Sequence, residues 1–278
     1  MLCLLLVVGL AAGGTLWWQS RDADGAGATA RPPVDTRPRP APSASPPVLV
    51  ASVTGPASDL AGGDFALPDA LRMSDAELAR FSTQVTPDSA AFALWYARHG
   101  AVVTESGTIN LALRGNAAEE VEITDVNVHK KCGAPLDGTH FTGYTQGSGD
   151  TVAVGLDLDA ADPRPQLRAR TSAGPKWTGR DYFKERTLTL KPGESETLSV
   201  GVTSRRHHCS FTLELVVATP DGVLTQQIDR GRGEPFELTG PAASGSPPPA
   251  GYRAAYAERR DGWHRADPVA ATSQGADR

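Results

Sequence analysis

Apolar residues recur at every second position over most of residues 101–240, and no other feature constrains the fold as strongly. The segment "TINLALRGN" places Ile109, Leu111 and Leu113 on the same side of an extended chain, and "TVAVGLDLD" and "CSFTLELVV" follow the same period. Successive side chains of a strand point to opposite faces, so this period is typical of strands with one buried face. Turn segments divide the pattern into about eight to ten strands, which predicts a mainly β fold, an antiparallel β-sandwich, over residues 101–240.

Residues 59–100 carry two helix signals ahead of this pattern. The segment "MSDAELARF" offers Ser74 as the N-cap of a first helix, and a glutamate at the third helical position completes a capping box. In the second helix, Phe92, Trp95 and Tyr96 share one face at helical spacing. We therefore predict a short helical segment that packs on the sandwich through this aromatic face, in preference to a ligand site.

Both ends of the chain differ in composition from the central part. Residues 2–18 contain no charged residue and would span about 25 Å as a helix, which predicts a transmembrane signal-anchor helix over residues 1–19. The next segment is rich in proline and is predicted to form a disordered stalk over residues 20–58. Residues 241–278 are predicted to form a disordered C-terminal tail. A signal-anchor would place the folded domain on the extracytoplasmic side of the cell membrane.

Two segments within this layout carry a resemblance to known proteins, "LTLKPGESETLSV" and the hairpin "CSFTLEL…DGVLTQQID". With its anchor and proline-rich spacer, the chain resembles a group of uncharacterised actinobacterial membrane-anchored envelope proteins, over about residues 109–238. The resemblance implies an immunoglobulin-like β-sandwich and an envelope location, and it implies no activity. The spacing from Cys132 to Trp177 is not that of antibody domains, so the label describes architecture alone.

Two cysteines of the predicted sandwich are expected to form a disulfide. Cys209 shares strand parity with Phe211 and Leu213, and Cys132 shares it with Val126, so both cysteines are expected to face the core. Disulfides form in the oxidising compartments that exported domains reach, which favours pairing of two inward-facing thiols. We therefore predict a Cys132–Cys209 bridge.

His207 and His208 directly precede Cys209 and raise the question of a metal or nucleophile site. Zinc ligands usually come in close pairs such as CxxC or HxxxH, whereas neighbouring residues of a strand point to opposite faces. We therefore favour a structural role and predict no metal site and no cofactor. The alternative is a metal-dependent extracytoplasmic enzyme that uses His207 or His208 together with His140.

Three carboxylates in "DLDAADP" invite a comparison with calcium-binding loops. The carboxylates are those of Asp157, Asp159 and Asp162. The segment has Asp162 and Arg168 at the sixth and twelfth positions, where an EF-hand loop requires glycine and glutamate. We predict a polar turn between strands with aspartate caps, and a weak calcium site is the alternative.

A candidate binding site lies in "AGPKWTGRDYFKER", which we predict to be a loop between two strands. It gathers Lys176, Trp177, Arg180, Tyr182 and Phe183. Loops at the end of a sandwich often carry recognition, and Trp, Tyr and Arg are favoured contact residues. The favoured alternative is that these rings close the end of the sandwich against its own core.

The overall charge and the motif content bound the function. The net charge of −5 gives no support for binding nucleic acid, and no GxSxG, HExxH, P-loop or dinucleotide-binding motif occurs. We therefore predict a protein without catalytic activity that has a binding or accessory role in the cell envelope. Its expected partners are the membrane, through the N-terminal helix, and an extracytoplasmic protein or cell-wall component.

Overall fold

The structure is a computed structural model. It describes residues 45–56, 63–85, 89–143, 154–171, 174–242 and 251–268. The predicted membrane helix (1–19) and most of the predicted stalk lie outside the described residues, so both stay predictions. Within the described residues, no helix combines the length and the apolar character needed to cross a bilayer.

Strands dominate the described part of the chain, which confirms the mainly β class. The strands are β1 (Val48–Thr54), β2 (Phe65–Leu67), β3 (Val102–Val103), β4 (Ser106–Gly115), β5 (Val121–Gly133), β6 (Thr139–Thr142), β7 (Val154–Asp157), β8 (Gln166–Thr171), β9 (Gly174–Asp181), β10 (Leu188–Leu190), β11 (Ser195–Thr203), β12 (His208–Thr219), β13 (Gly222–Ile228), β14 (Phe236–Thr239), β15 (Ala254–Arg259) and β16 (Gly262–Arg265). The helices are α1 (Asp75–Gln84) and α2 (Ala90–Arg98).

These strands form three sheets. The first sheet has the order β1-β4-β11-β7-β8-β9, and the third has the order β16-β15-β6-β2-β3. The second has the order β10-β5-β12-β13, and β14 pairs with β12 beyond the end of β13. Most neighbours are antiparallel, but β7–β11 and β6–β15 are parallel pairs. The prediction of a purely antiparallel arrangement is therefore wrong at two places, where the paired segments lie far apart in the sequence.

The alternating pattern produces the core as expected. Along β12 every second side chain is buried, namely Cys209, Phe211, Leu213, Leu215 and Val217. Buried residues of the first and second sheets belong to one hydrophobic cluster. Full burial of each large aliphatic or aromatic side chain contributes about 1.5–3 kcal/mol. This cluster is therefore the main source of stability.

The third sheet carries the two helices. Ser74 caps α1, and Glu77 accepts from the Ser74 N–H at 2.8 Å, so the predicted capping box is confirmed. The helices pack on the sheet through aromatic rings, with Phe65 stacked on Phe141 at a centroid distance of 4.7 Å. The rings gathered around this pair are Phe81, Phe92, Trp95, Tyr96, Tyr256 and Trp263. The aromatic helix face packs on the domain as predicted, through the third sheet, and packing on the sandwich itself stays a prediction.

Two predicted boundaries are wrong. The stalk cannot extend to residue 58, because β1 pairs with β4 over most of its length. The C-terminal tail cannot begin at residue 241, because β15 pairs with β6 and β16 pairs with β15. Trp263 in β16 is only 5% exposed. In both cases a strand lies beside proline-rich sequence, and its partner lies too far along the chain for local composition to reveal the pairing.

Candidate functional site

Residues 204–207, "SRRH", form the turn between β11 and β12, and the carboxylate of Asp159 organises it. The N–H groups of Arg205 and Arg206 donate to this carboxylate at 2.7 and 3.3 Å, and His207 Nδ1 lies 2.8 Å from Asp159 Oδ1. The Ser204 hydroxyl bonds Asp159 Oδ1 at 3.1 Å and the His207 carbonyl at 2.7 Å. Asp159 therefore holds this turn from the loop that follows β7.

The charge of Asp159 is stabilised by the same contacts. Its side chain is only 8% exposed. Burial by itself raises the pKa of Asp159, but hydrogen bonds from Arg205, His207 and Ser204 outweigh this effect and hold the pKa below its ordinary value. Asp157 in turn accepts from the Asp159 N–H at 3.0 Å. The predicted polar turn with aspartate caps is confirmed, whereas the alternative calcium site stays a hypothesis.

The three histidines considered as metal ligands lie in different settings. His208 begins β12, and its Nε2 is buried 3.8 Å from Glu237 Oε1. His140 lies in β6 with its ring stacked on Tyr252 at a centroid distance of 4.6 Å, and burial lowers the pKa of His140 to about 4. Among the described residues, no group of three His, Cys, Asp or Glu side chains is arranged to hold a metal ion. The metal-dependent enzyme stays the alternative hypothesis.

The candidate binding residues around Trp177 lie largely in a strand. Lys176, Trp177 and Arg180 belong to β9, so the prediction of a loop at this place is wrong. Pro175 and Gly174 mask the strand in the sequence, because neither residue is common in strand interiors. Arg180 Nε donates to a carboxylate oxygen of Glu185 at 2.6 Å.

The three aromatic rings of this segment pack against the protein itself. Trp177 covers Gly155, because a Cβ at that glycine would lie 2.2 Å from the indole ring. The Arg168 guanidinium lies 5.3 Å from the Trp177 ring centroid, a cation–π contact. Tyr182 and Phe183 meet edge to face at 5.0 Å and pack against the core. These contacts support the packing interpretation, and a binding role for the five residues stays a prediction.

The predicted disulfide is confirmed, but one of its two environments differs from expectation. Cys132 and Cys209 are direct partners across β5 and β12, with their sulfurs 2.04 Å apart. Cys209 is buried as expected, whereas Cys132 is exposed. Next to Cys209, the side of β12 that faces away from β5 is paired with β14. The outer side of β5 is paired with β10 only at Val121–Ile123, far from Cys132. Among the described residues, no strand therefore pairs with the outer side of β5 at Cys132.

A surface that sequence reasoning missed lies along β13, at the end of the second sheet. The first four residues of β13 are exposed, and the exposed fractions of Val223 and Leu224 are 66% and 51%. A cleft of about 360 Å³ lies beside them. We call it the β13 cleft; its lining includes Pro47, Ala117, Glu119, Asp221, Val223 and Leu224.

One sequence signal was available for this surface. Between Asp221 and Asp229 the segment "GVLTQQI" contains no charged residue and no proline. Exposed edge strands usually carry such residues, because they prevent pairing with other chains. The signal cannot be used from sequence alone, since a central strand has the same composition.

Comparison of this chain with protein-family models, with curated proteins and with solved structures finds no match in any of the three. The functional argument therefore rests on the geometry of the chain itself.

Proposed function

We propose that this chain is a single-pass, membrane-anchored extracytoplasmic protein whose folded domain is a binding module of the cell envelope. The observation that carries the binding role is the exposed β13 edge with its adjoining cleft. The disulfide between Cys132 and Cys209 supports the extracytoplasmic location, because such bonds persist in oxidising compartments and are rare in the cytosol. The uncharged segment 2–18 supports the membrane anchor.

We further propose that the first and second sheets form an immunoglobulin-like β-sandwich. Each sheet buries one face, and the buried side chains of both belong to one cluster, as in two sheets packed face to face. The turn after β10 supports the same arrangement, since β10 pairs in the second sheet and β11 in the first. The third sheet and its helices are an addition to that plan.

The binding role agrees with the contacts that the other candidate side chains make inside the domain. Asp159 and His207 hold a turn, and the rings of Trp177, Tyr182 and Phe183 pack inward. The β13 edge differs, because its apolar side chains face solvent beside a concave surface. Exposed edges of this kind are a recurrent way for proteins to bind extended segments of other chains.

Photo-cross-linking in intact cells tests the proposal with the full chain. A photoreactive amino acid at Leu224 is expected to capture a partner that is accessible from outside the cytoplasm. The same amino acid at Leu94, which is 73% exposed on α2, is the matched control and is expected to capture none. Proteolysis of intact spheroplasts, with a cytoplasmic protein as the protected control, is expected to digest the domain. Protection of the domain would overturn the location.

The alternative function is a metal-dependent enzyme, and one observation favours it. The Asp159 carboxylate orients His207 through Nδ1, which is how carboxylates orient metal-binding histidines. Metal analysis of the purified full chain distinguishes the two functions. One zinc ion per chain that is lost in both His207→Ala and His208→Ala variants would replace the binding proposal with this one.

A further inference from the structure

The outer side of β13 is open for hydrogen bonding. β13 pairs on one side with β12, from Leu213↔Ile228 to Thr219↔Gly222, without a register shift. In the part of the chain that the structure describes, no strand pairs with its other side. A peptide backbone at such an edge leaves N–H and C=O groups that a further strand can use.

The geometry at the disulfide shows which residues of β13 direct their backbone N–H and C=O groups away from β12. The Cα atoms of Cys132 and Cys209 are 4.1 Å apart, close to the value of about 4.5 Å for a pair without mutual hydrogen bonds. Cys209 therefore directs its N–H and C=O groups away from β5. Backbone direction alternates along a strand, so all odd-numbered residues of β12 direct these groups to the same side, where β14 and β13 lie. Their partners in β13 are the even-numbered residues. Val223, Thr225 and Gln227 thus direct their N–H and C=O groups to solvent.

The other outermost strands of the three sheets carry features that discourage pairing. β1 has a register shift between Val50 and Ser52, β9 carries Arg180, and β16 ends in Arg265. β10, β3 and β14 have only three, two and four residues. Bulges, charges and short length are the usual protections of sheet edges. β13 has seven residues and none of these protections.

The β13 cleft adds a selective element to this edge. Leu224 and Val223 supply apolar surface, and Pro47 and Ala117 lie in the lining as well. The charged residues of the lining are Glu119 and Asp221, both acidic. Its volume of about 360 Å³ lies within the range of about 300–1,000 Å³ that is usual for ligand clefts. An occupant that presents an apolar side chain next to a cation complements this surface in shape and charge.

We propose that the β13 edge binds an extended segment of another protein, one that carries an apolar residue beside a lysine or arginine. The segment adds a strand to the second sheet, bonds Val223, Thr225 and Gln227 through its backbone, and directs its cation toward Glu119 and Asp221. This inference rests on the proposed binding function and names the site and the chemical class of its partner.

A second copy of this chain fits the edge less well. A twofold arrangement of two β13 strands centred on Thr225 sets Asp221 of each copy opposite Asp229 of the other. Like charges directly opposite each other destabilise a strand pair. A second β13 also presents no cation to Glu119, since "GVLTQQI" is uncharged. Charge complementarity therefore favours a different, basic partner.

Binding of synthetic peptides to the full chain tests the proposal. The probe is a fluorescein-labelled heptapeptide of alternating valine and threonine with one central lysine, and its control carries glutamate instead. Fluorescence anisotropy is expected to show binding of the lysine peptide with at least about tenfold preference, which weakens as salt rises. Equal binding of both peptides, or binding of neither, would overturn the proposal.

Variants locate the binding to the edge. Thr225→Pro removes an N–H that faces solvent and leaves the β12 pairing intact, so about tenfold weaker binding is expected. Val223→Lys puts a cation on the edge and is expected to weaken binding similarly, with Leu94→Lys as the control for an added surface lysine. Glu119→Gln is expected to reduce the preference for lysine over glutamate. Unchanged binding in folded Val223→Lys would contradict the proposal.

Two further outcomes separate this inference from the broader function. Sedimentation that shows a dimer of the full chain, dissociated by Val223→Lys, would assign the edge to self-association and overturn the basic partner. A partner captured in cells from a position other than Leu224 would keep the binding function and reject this site. Loss of all capture would instead reject the binding function.

Discussion

Cys132 and Cys209 face each other across β5 and β12 with their Cα atoms 4.1 Å apart, yet Cys209 is fully buried and Cys132 is exposed. The difference arises because β14 covers β12 at this level, whereas β5 has no strand on its outer side there in the described residues. The bridge thus links β12, which has a neighbour on both sides at this level, to β5, which has a described neighbour only on the β12 side there.

Removal of the disulfide is expected to destabilise the domain strongly. The bridged residues are 77 positions apart, and the loop-entropy estimate for that separation is about 4.5 kcal/mol. Urea unfolding of a Cys132→Ala/Cys209→Ala variant should show a loss of this order. Added reductant should lower the stability of the wild type and leave the variant unchanged. Coincident unfolding curves of wild type and variant would contradict the prediction.

Burial of His140 is expected to make the domain less stable as the pH falls from about 6.5 to 4. Burial lowers the pKa of His140 to about 4, so the unfolded chain, with an ordinary pKa near 6.5, binds the proton more readily. The full free energy of unfolding is present above the unfolded pKa of about 6.5. As the pH falls from this value to the folded pKa of about 4, the free energy of unfolding decreases by about 3 kcal/mol in total. Measured by urea unfolding, a His140→Gln variant should lack this slope, while His129→Gln, with a side chain 62% exposed, should retain it.

Replacement of Asp159 should loosen the turn before β12. Asp159→Ala leaves the N–H groups of Arg205 and Arg206 without their acceptor, and we expect a loss of about 2–3 kcal/mol. Asp162→Ala, with a side chain 72% exposed, is the matched control and should change little. Because the folded pKa of Asp159 is lowered, its contribution is present above the unfolded pKa and is lost as the pH falls through the folded pKa. The variant should therefore lose stability less steeply below about pH 4 than the wild type.

Contact between Trp177 and Gly155 gives a direct test of the packing interpretation. A Cβ at position 155 would lie 2.2 Å from the indole, so Gly155→Ala is expected to displace the ring and cost about 1–3 kcal/mol. In the presence of Trp177→Ala, the same substitution should cost much less, because the obstructing ring is gone. Urea unfolding of the two single variants and the double variant measures this coupling. Additive effects would contradict the packing interpretation of Trp177 and favour its predicted role in binding.

Local signals in the sequence predicted those parts of the fold that depend on nearby residues. Ser74 and Glu77 form their capping box within one helical turn. The disulfide followed from parity and compartment. By contrast, the sequence predicts a loop where β9 lies, because Gly174 and Pro175 interrupt the alternation of that strand. The exposure of Cys132 depended on how far β10 extends along β5, which no local pattern records.

The sequence by itself determined the mainly β class, the positions of the buried side chains along β12, and the Cys132–Cys209 pair, because strand parity and thiol chemistry are properties of the chain at each position. Only the tertiary structure decided that β15 and β16 belong to the fold, since β15 pairs with β6, more than a hundred positions earlier, and β16 pairs with β15. It also decided that β13 is an outermost strand among the residues that the structure describes. Whether a strand is covered depends on what lies beside it in space, and its own residues do not contain that information.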